Sequence, residues 1–250
     1  TIEDGLASLK WICTAASGLP VAAATPPPPA EFPLTAICST TTGYSALRTT
    51  VAHLRRQTIA SEIELLLVGP DEASLAAPEQ EVQGFAAVTR IAAGPVRSIG
   101  QANAAGVRAA RGRIVALTED HCFPEPGWAA ALVRAHQGGC SAAGPVVRNA
   151  NPRSRVSESD FVIGYGPWME PVPGLAAQFL PGHNSSYKRD ELLELGGRLE
   201  QFLESETVLH MAWSRQGRKL VVEPEARVRH VNFSLWRSWI PVQFLAGRLF

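Results

Sequence analysis

No run of about 20 apolar residues, the length a helix needs to cross a bilayer, occurs anywhere in these 250 residues. The Trp11–Ala24 stretch is too short for one and holds Gly18 and Pro20. Cysteine is scarce and unpaired in sequence. Cys13, Cys38, Cys122 and Cys140 form no C-x-x-C, which argues against a disulfide framework and a four-cysteine zinc, and for a reducing, cytoplasmic compartment. Net charge is also missing. Lys plus Arg and Asp plus Glu are 23 each, so the broad basic field of a non-specific nucleic-acid binder is absent and no nucleic-acid partner is expected. Neither a P-loop nor H-E-x-x-H nor G-x-S-x-G occurs, which removes the motif support for an NTPase, a zinc protease or an α/β-hydrolase. Charged residues make up 18% against 46% hydrophobic, a balance that excludes disorder over most of the chain.

What is present begins with a proline run, Thr25 to Pro33, which neither a helix nor a central strand tolerates. Residues 1–33 therefore read as an extension and linker, with a short helix at the front. Beyond it, strands are expected at Leu34–Cys38, Glu62–Val68, Val88–Ala92 and Arg113–Thr118. Helices are expected where Tyr44, Leu47, Val51 and Leu54 recur and over Gln101–Arg111. Strands alternating with helices imply a parallel α/β sheet with right-handed crossovers. After Trp128 come a helix to His136, a strand over Ser141–Val147, and a Gly/Pro-rich passage to Pro181 that reads as a long loop or lid. Helices then follow at Lys188–Leu195 and Phe202–Gln216, strands at Leu220–Val222 and Ala226–Val231, and an amphipathic segment at Ser234–Leu249, with Pro241 in its first turn or bending it. Between Arg215 and Phe250 seven basic residues face two acidic ones, a local +5 suited to a phosphate or a membrane surface. The chain starts at Thr1 and stops at Phe250 inside an apolar pattern, as expected of part of a longer protein.

Ligands of open parallel sheets bind at the carboxyl ends of the strands, so the residues after Leu117 carry most weight. They are Thr118-Glu119-Asp120-His121-Cys122-Phe123-Pro124-Glu125-Pro126-Gly127-Trp128. An acidic pair and a histidine at a strand end can hold a divalent cation and a ribose, although Glu-Asp-His in isolation reads better as a solvated acidic turn capping a helix. Glu206, Leu209 and Trp213 fall on one helical face. A carboxylate on an apolar face has either a partner or a function, and desolvation would push it toward a useful base.

The same segment resembles the acidic motif of GT-A glycosyltransferases of family 2, in which a strand ends in acidic residues followed by Pro-x-Pro-Gly-Trp. Here the tail Pro124–Trp128 is complete, and Glu119-Asp120-His121 replaces the usual triplet. Further segments fit in order. Gly100-Gln-Ala-Asn103-Ala-Ala-Gly106 resembles the helix before the acidic motif. Phe179-Leu-Pro-Gly182-His-Asn184-Ser-Ser-Tyr-Lys188-Arg189 resembles the Gly-x-Asn segment with its basic tail. Counting back from Gly217 places Ser205 and Glu206 on the family's Glu-Asp pair, and Val228-Arg229-His230-Val231 resembles its strand-end histidine. At the front, Ala36-Ile-Cys38-Ser-Thr40 stands for the first strand, and Asp71 stands near the missing base-reading aspartate.

The resemblance spans Leu34 to Phe250. It implies a GT-A fold, Rossmann-like, with a nucleotide-binding half at 34–123, an acceptor half at 124–232 and an amphipathic end at 233–250. It also implies inverting transfer from a nucleotide-diphosphate sugar to a hydroxyl acceptor, a glycan or lipid-linked glycan of the cell envelope. In that scheme Glu206 is the base and Glu204 the reserve. Thr40, Asp71, Asn103, Glu119 and Asp120 hold the nucleotide. Asp120, His121 and His230 hold a metal, the nitrogens favouring Mn2+ over Mg2+. Asn184, Lys188 and Arg189 serve phosphate and acceptor. The tail with Trp236, Arg237 and Trp239 leaves open packing on the domain or a peripheral contact at the inner membrane face. The other class of protein compatible with these departures is a GT-A-shaped binding module without catalysis.

Overall fold

In the computed structural model the residues described are 30–172 and 176–246. The expected front helix and residues 25–29 of the proline run lie outside them, as does the end of the tail from 247 on. The strands β1 (Phe32–Ser39), β2 (Ile63–Gly69), β3 (Ala87–Ala92) and β4 (Gly112–Thr118) lie parallel in the order β3-β2-β1-β4. The near-continuous apolar runs of β1, β2 and β4 follow from burial on both faces, whereas β3, at the sheet edge, is only partly buried and carries Thr89 and Arg90. Leu34, Ala36, Cys38, Leu65 and Leu67 face one core with Leu47, Val51 and Trp128, while Ile37, Leu66, Val68, Val115 and Leu117 face the other with Val107, Phe202 and Trp213.

The helices that cover these faces are α1 (Tyr44–Leu54), α3 (Ile99–Ala109) and α4 (Trp128–Gln137), with a short α2 (Glu79–Val82) between the first two. Ser98 caps α3 by accepting from the Gln101 amide at 3.2 Å. Beyond β4 the sheet turns mixed. β7 (Ser186–Lys188) is antiparallel to both β4 and β6 (Ala142–Asn149), β6 is parallel to β8 (Leu220–His230), and the short β5 (Cys122–Pro124) closes the edge against β8. This eight-stranded mixed sheet flanked by helices is the α/β, GT-A type architecture expected.

Several elements differ from expectation. The Gly/Pro-rich passage contains a helix, α5 (Arg155–Tyr165), whose N-terminus is capped by Ser154 accepting from the Ser157 amide at 3.0 Å. Lys188 ends strand β7 rather than starting a helix, and α6 (Arg189–Leu193) follows it. The single helix expected over Phe202–Gln216 is two, α7 (Leu199–Glu204) and α8 (Glu206–Arg215), because Ser205 leaves the helical region at φ −135°, ψ 76°. The two late strands are one, β8, which absorbs a register shift opposite Pro145 and Val146. In the last helix, α9 (Trp236–Ala246), Pro241 lies inside, which excludes the first-turn alternative and leaves the other, a proline within the helix.

Candidate active site

The carboxyl end of β4 and the end of β8 meet because β5 pairs with β8, placing Cys122 opposite His230. The turn between β4 and β5 is tied down by the Thr50 hydroxyl, which donates to the Glu119 carbonyl at 2.9 Å. The Val231 amide donates to the His121 carbonyl at 3.0 Å. The consequence is that Glu119, His121 and His230 converge, with one ligand atom from each all within 4.8 Å of one another. His230 Nε2 lies 3.6 Å and His121 Nε2 4.0 Å from Glu119 Oε2. Asn184 steadies that carboxylate, its Nδ2 donating to Oε2 at 2.5 Å.

The other ring nitrogens are committed. His121 Nδ1 is 2.7 Å from Asp120 Oδ1, and a carboxylate only accepts, so Nδ1 carries the proton. His230 Nδ1 is 3.0 Å from Asn232 Oδ1 and carries its proton for the same reason. Both Nε2 lone pairs are then left to face Glu119. Two imidazoles and a carboxylate, with each imidazole oriented from behind by an oxygen acceptor, suit a divalent ion of the transition series. Protonation competes differently at the two rings. The Asp120 hydrogen bond raises the pKa of His121, whereas burial lowers that of His230.

A second cluster lies on the other wall. Glu206, 2% exposed, starts α8 and accepts on both oxygens: from the His183 amide on Oε1 at 2.8 Å, and from Tyr187 Oη on Oε2 at 2.5 Å. His183 Nδ1 is 3.0 Å from the same Oε1. Behind them Tyr187 Oη is 2.7 Å from His210 Nε2, and the Leu180 amide donates to His210 Nδ1 at 3.3 Å. Because His210 accepts on Nδ1, its Nε2–H donates to Tyr187, which in turn donates to Glu206. Burial holds His210 neutral, its pKa lowered to about 4. Burial would push the Glu206 carboxyl up, but the His183 hydrogen bond and charge take it below its ordinary value. His183 has the reverse balance. Burial opposes its charge, and the Glu206 hydrogen bond and charge, with Glu119 and Glu204 beyond, lift it to about 9.

The remaining residues singled out in the sequence divide into three groups. Asp120 stands behind His121 rather than among the three converging groups. Thr40 and Asn103 gather at the end of β1, where Thr40 Oγ1 accepts from the Gly43 amide at 3.2 Å and Asn103 Oδ1 accepts from Ser39 at 2.7 Å. Asp71 caps an exposed turn by accepting from the Ser74 amide at 2.8 Å. Glu204 is exposed at the end of α7. It lies so close over Gly100 of α3 that a Cβ added there would fall 2.6 Å from the Glu204 backbone nitrogen. Lys188 and Arg189 are not brought to this cleft. Lys188 pairs with Ile114 at the far end of β4, lines a cavity of about 480 Å3 there and meets Glu191 at 3.2 Å. Arg189 is 2% exposed and donates to the Ala110 carbonyl at the end of α3. Sequence reasoning missed His183, Tyr187 and His210. All three fall inside or next to quoted segments, but only the fold brings them to one carboxylate.

The family model described as glycosyl transferase family 2 matches residues 36–196. Among solved structures the chain is similar to GalNAc-T7 with UDP, GalNAc and Mn2+, at 16% identity and TM-score 0.57, covering 82% of this chain and 44% of that one. It is similar to the mannosyltransferase PcManGT from Pyrobaculum calidifontis in complex with GDP-Man and Mn2+, at 20% identity and TM-score 0.57, covering 98% and 71%. It is also similar to S. aureus TarS, at 13% identity and TM-score 0.54, covering 86% and 39%. At such identities the likeness is one of fold, and the chain spans less than half the length of GalNAc-T7 and of TarS. No curated protein matches the chain. The family model runs from β1 through the acidic turn and the Gly-x-Asn segment, well over half of the sequence, and the chain thus belongs to glycosyl transferase family 2.

Proposed function

We propose that this glycosyltransferase takes a sugar from a nucleoside-diphosphate sugar and passes it, with inversion, to a hydroxyl of a glycan or lipid-linked glycan. The observation that carries this reading is the convergence of Glu119, His121 and His230 at the carboxyl end of β4. Residues 34–123 serve as the nucleotide half and 124–232 as the acceptor half. A divalent cation held by the three residues, Mn2+ in preference to Mg2+ because two donors are nitrogen, supplies positive charge at the diphosphate. Thr40 and Asn103 at the end of β1 lie where an open sheet receives its nucleotide. The co-substrates and Mn2+ of GalNAc-T7 and PcManGT are consistent with such a site.

The acceptor hydroxyl needs a base. Glu206 is sealed, with both oxygens already accepting, so a substrate does not reach it in this arrangement. Glu204, at the exposed end of α7, is the carboxylate open to an acceptor. We assign it the base and Glu206 the task of holding His183. The tail helix α9 leaves Trp236, Ile240 and Phe244 54%, 56% and 68% exposed, beside Arg237. Tryptophan and arginine on an apolar helix suit the surface of an anionic membrane, which would bring a lipid-linked acceptor to the site.

Calorimetric titration of UDP, GDP and dTDP, each with Mn2+ and with EDTA, tests the central claim. One nucleotide should bind with metal and not without it, and His230→Ala should abolish the metal dependence. Binding indifferent to EDTA, or unchanged in His230→Ala, would remove the metal site.

A further inference from the structure

Departure of a nucleoside diphosphate leaves negative charge that a transferase must meet with positive groups. The two basic side chains the sequence offered for this, Lys188 and Arg189, are engaged at the far end of β4. The cleft has another cation, and it stands in the loop that links the two clusters. Within Pro181–Ser185, Asn184 donates to Glu119 on one side and His183 meets Glu206 on the other. We propose that His183, held by the buried Glu206, is the protein's own contact for the diphosphate of the donor. This rests on the nucleotide-sugar reading above.

Four observations carry it. His183 is the exposed member of an otherwise buried chain, its side chain 32% exposed against 1% for Glu206, with Tyr187 and His210 at 0%. Glu206 accepts a hydrogen bond from its backbone amide and stands 3.0 Å from Nδ1 as an ion-pair partner. With Nδ1 turned to Glu206, Nε2 is the nitrogen left for a ligand, much as a buried carboxylate orients a working imidazole. His183 also holds a left-handed backbone at φ 57°, which costs a non-glycine residue energy and is kept only where the surroundings enforce it. Here the amide bond to Glu206 and the Asn184 bond to Glu119 enforce it from either side.

The groups that face His183 are Glu206 from α8, Glu204 from α7, Glu119 and His121 from the β4–β5 turn, and, behind Glu206, Tyr187 and His210. With no cation on Glu119 and His121, the three carboxylates outweigh burial and the opposing His121, and the charge on His183 is retained up to about pH 9; a bound cation would lower that limit. Below that pH the imidazolium attracts a nucleoside diphosphate, whose terminal phosphate is largely ionised at neutral pH and above. Above it the attraction is lost. Neutralising Glu206 removes the largest support for the charge and should move the loss to lower pH.

The test is calorimetric titration of UDP, GDP and inorganic pyrophosphate, in Mn2+ and in Mg2+, over a series of pH values from neutral upward. The proteins compared are the wild type, His183→Asn and Glu206→Gln. Asparagine is chosen because it tolerates the left-handed backbone. The wild type should lose about tenfold or more in affinity as pH rises through the transition, the range for a charge-assisted hydrogen bond. His183→Asn should bind weakly and without that pH step, and Glu206→Gln should show the step at lower pH. A flat wild-type profile, or wild-type affinity in His183→Asn, would overturn the assignment, and the wild-type profile needs no variant to fold. Pyrophosphate separates the two readings. If it binds in a His183-dependent way while UDP and GDP do not, the nucleotide reading fails and His183 stands. If nothing binds, both fall.

Discussion

Asp120 touches no more of the cleft than one ring nitrogen, 2.7 Å away, yet that contact decides which nitrogen of His121 is free to act. The His121 hydrogen bond in turn holds the Asp120 carboxyl below its ordinary value, so the pair behaves as one oriented unit. Loss of such an orienting carboxylate typically weakens metal binding about 10- to 100-fold. Asp120→Ala should therefore lower Mn2+ affinity by that order while the unfolding temperature stays near the wild type. Isothermal titration with Mn2+ is the check, and unchanged affinity would show that Asp120 orients nothing. In the sequence Asp120 and His121 stood side by side as equal ligand candidates. Adjacent residues in a turn point different ways, and only the turn's conformation shows that one of them backs the other.

At the scale of elements, β1, β2 and β4 are joined by a polar tie inside the apolar sheet. Glu64 on β2, fully buried, accepts from the Thr35 hydroxyl at 2.6 Å and from the Arg111 amide and Nε at 2.8 Å each. Thr35 also accepts from the Gly112 amide at 2.8 Å. Every partner is satisfied, and this makes a buried carboxylate tolerable between two strands. Glu64→Ala would leave the Thr35 hydroxyl and the Arg111 amide without their acceptor and should cost about 2–6 kcal/mol. Urea unfolding measures it, and a loss under 1 kcal/mol would mean water takes over the tie, since buried unpaired groups cost about 1–3 kcal/mol each. The parallel strands themselves were legible from their short apolar runs, as were α1 from helical spacing and α3 from its stop at Gly112. The break at Ser205 was not, because Phe202, Leu209 and Trp213 keep an apolar pattern across it. Nor was α5, whose exposed Val162 and Ile163 and many polar neighbours weaken any periodicity.

For the molecule as a whole, the apolar surface is unevenly spread. The exposed large side chains gather at the C-terminal end, from Val231 through Phe233, Leu235, Trp236, Ile240 and Val242 to Phe244, with Val162 and Ile163 exposed on α5. Trp239 ties the two helices, donating to Asp160 at 2.6 Å. Among the described residues no helix is long and apolar enough to cross a membrane, so contact with a bilayer would be at its surface. The chain should float with liposomes rich in anionic lipid and not with neutral ones, and Trp236→Ser with Phe244→Ser should remain at the bottom of the gradient. Equal flotation of that double variant would disconnect the helix from lipid. By itself the sequence determined the alternation of strands and helices, the acidic turn after β4 and the order of segments that marks the family. Those are properties of nearest neighbours and of spacing along the chain. Only the tertiary structure decided that His230 closes the cluster with Glu119 and His121, that Lys188 and Arg189 leave it, and that Glu206 is sealed behind His183. Strand pairing brings together residues 65 to 111 positions apart and turns adjacent ones away from each other, and linear spacing carries no record of either.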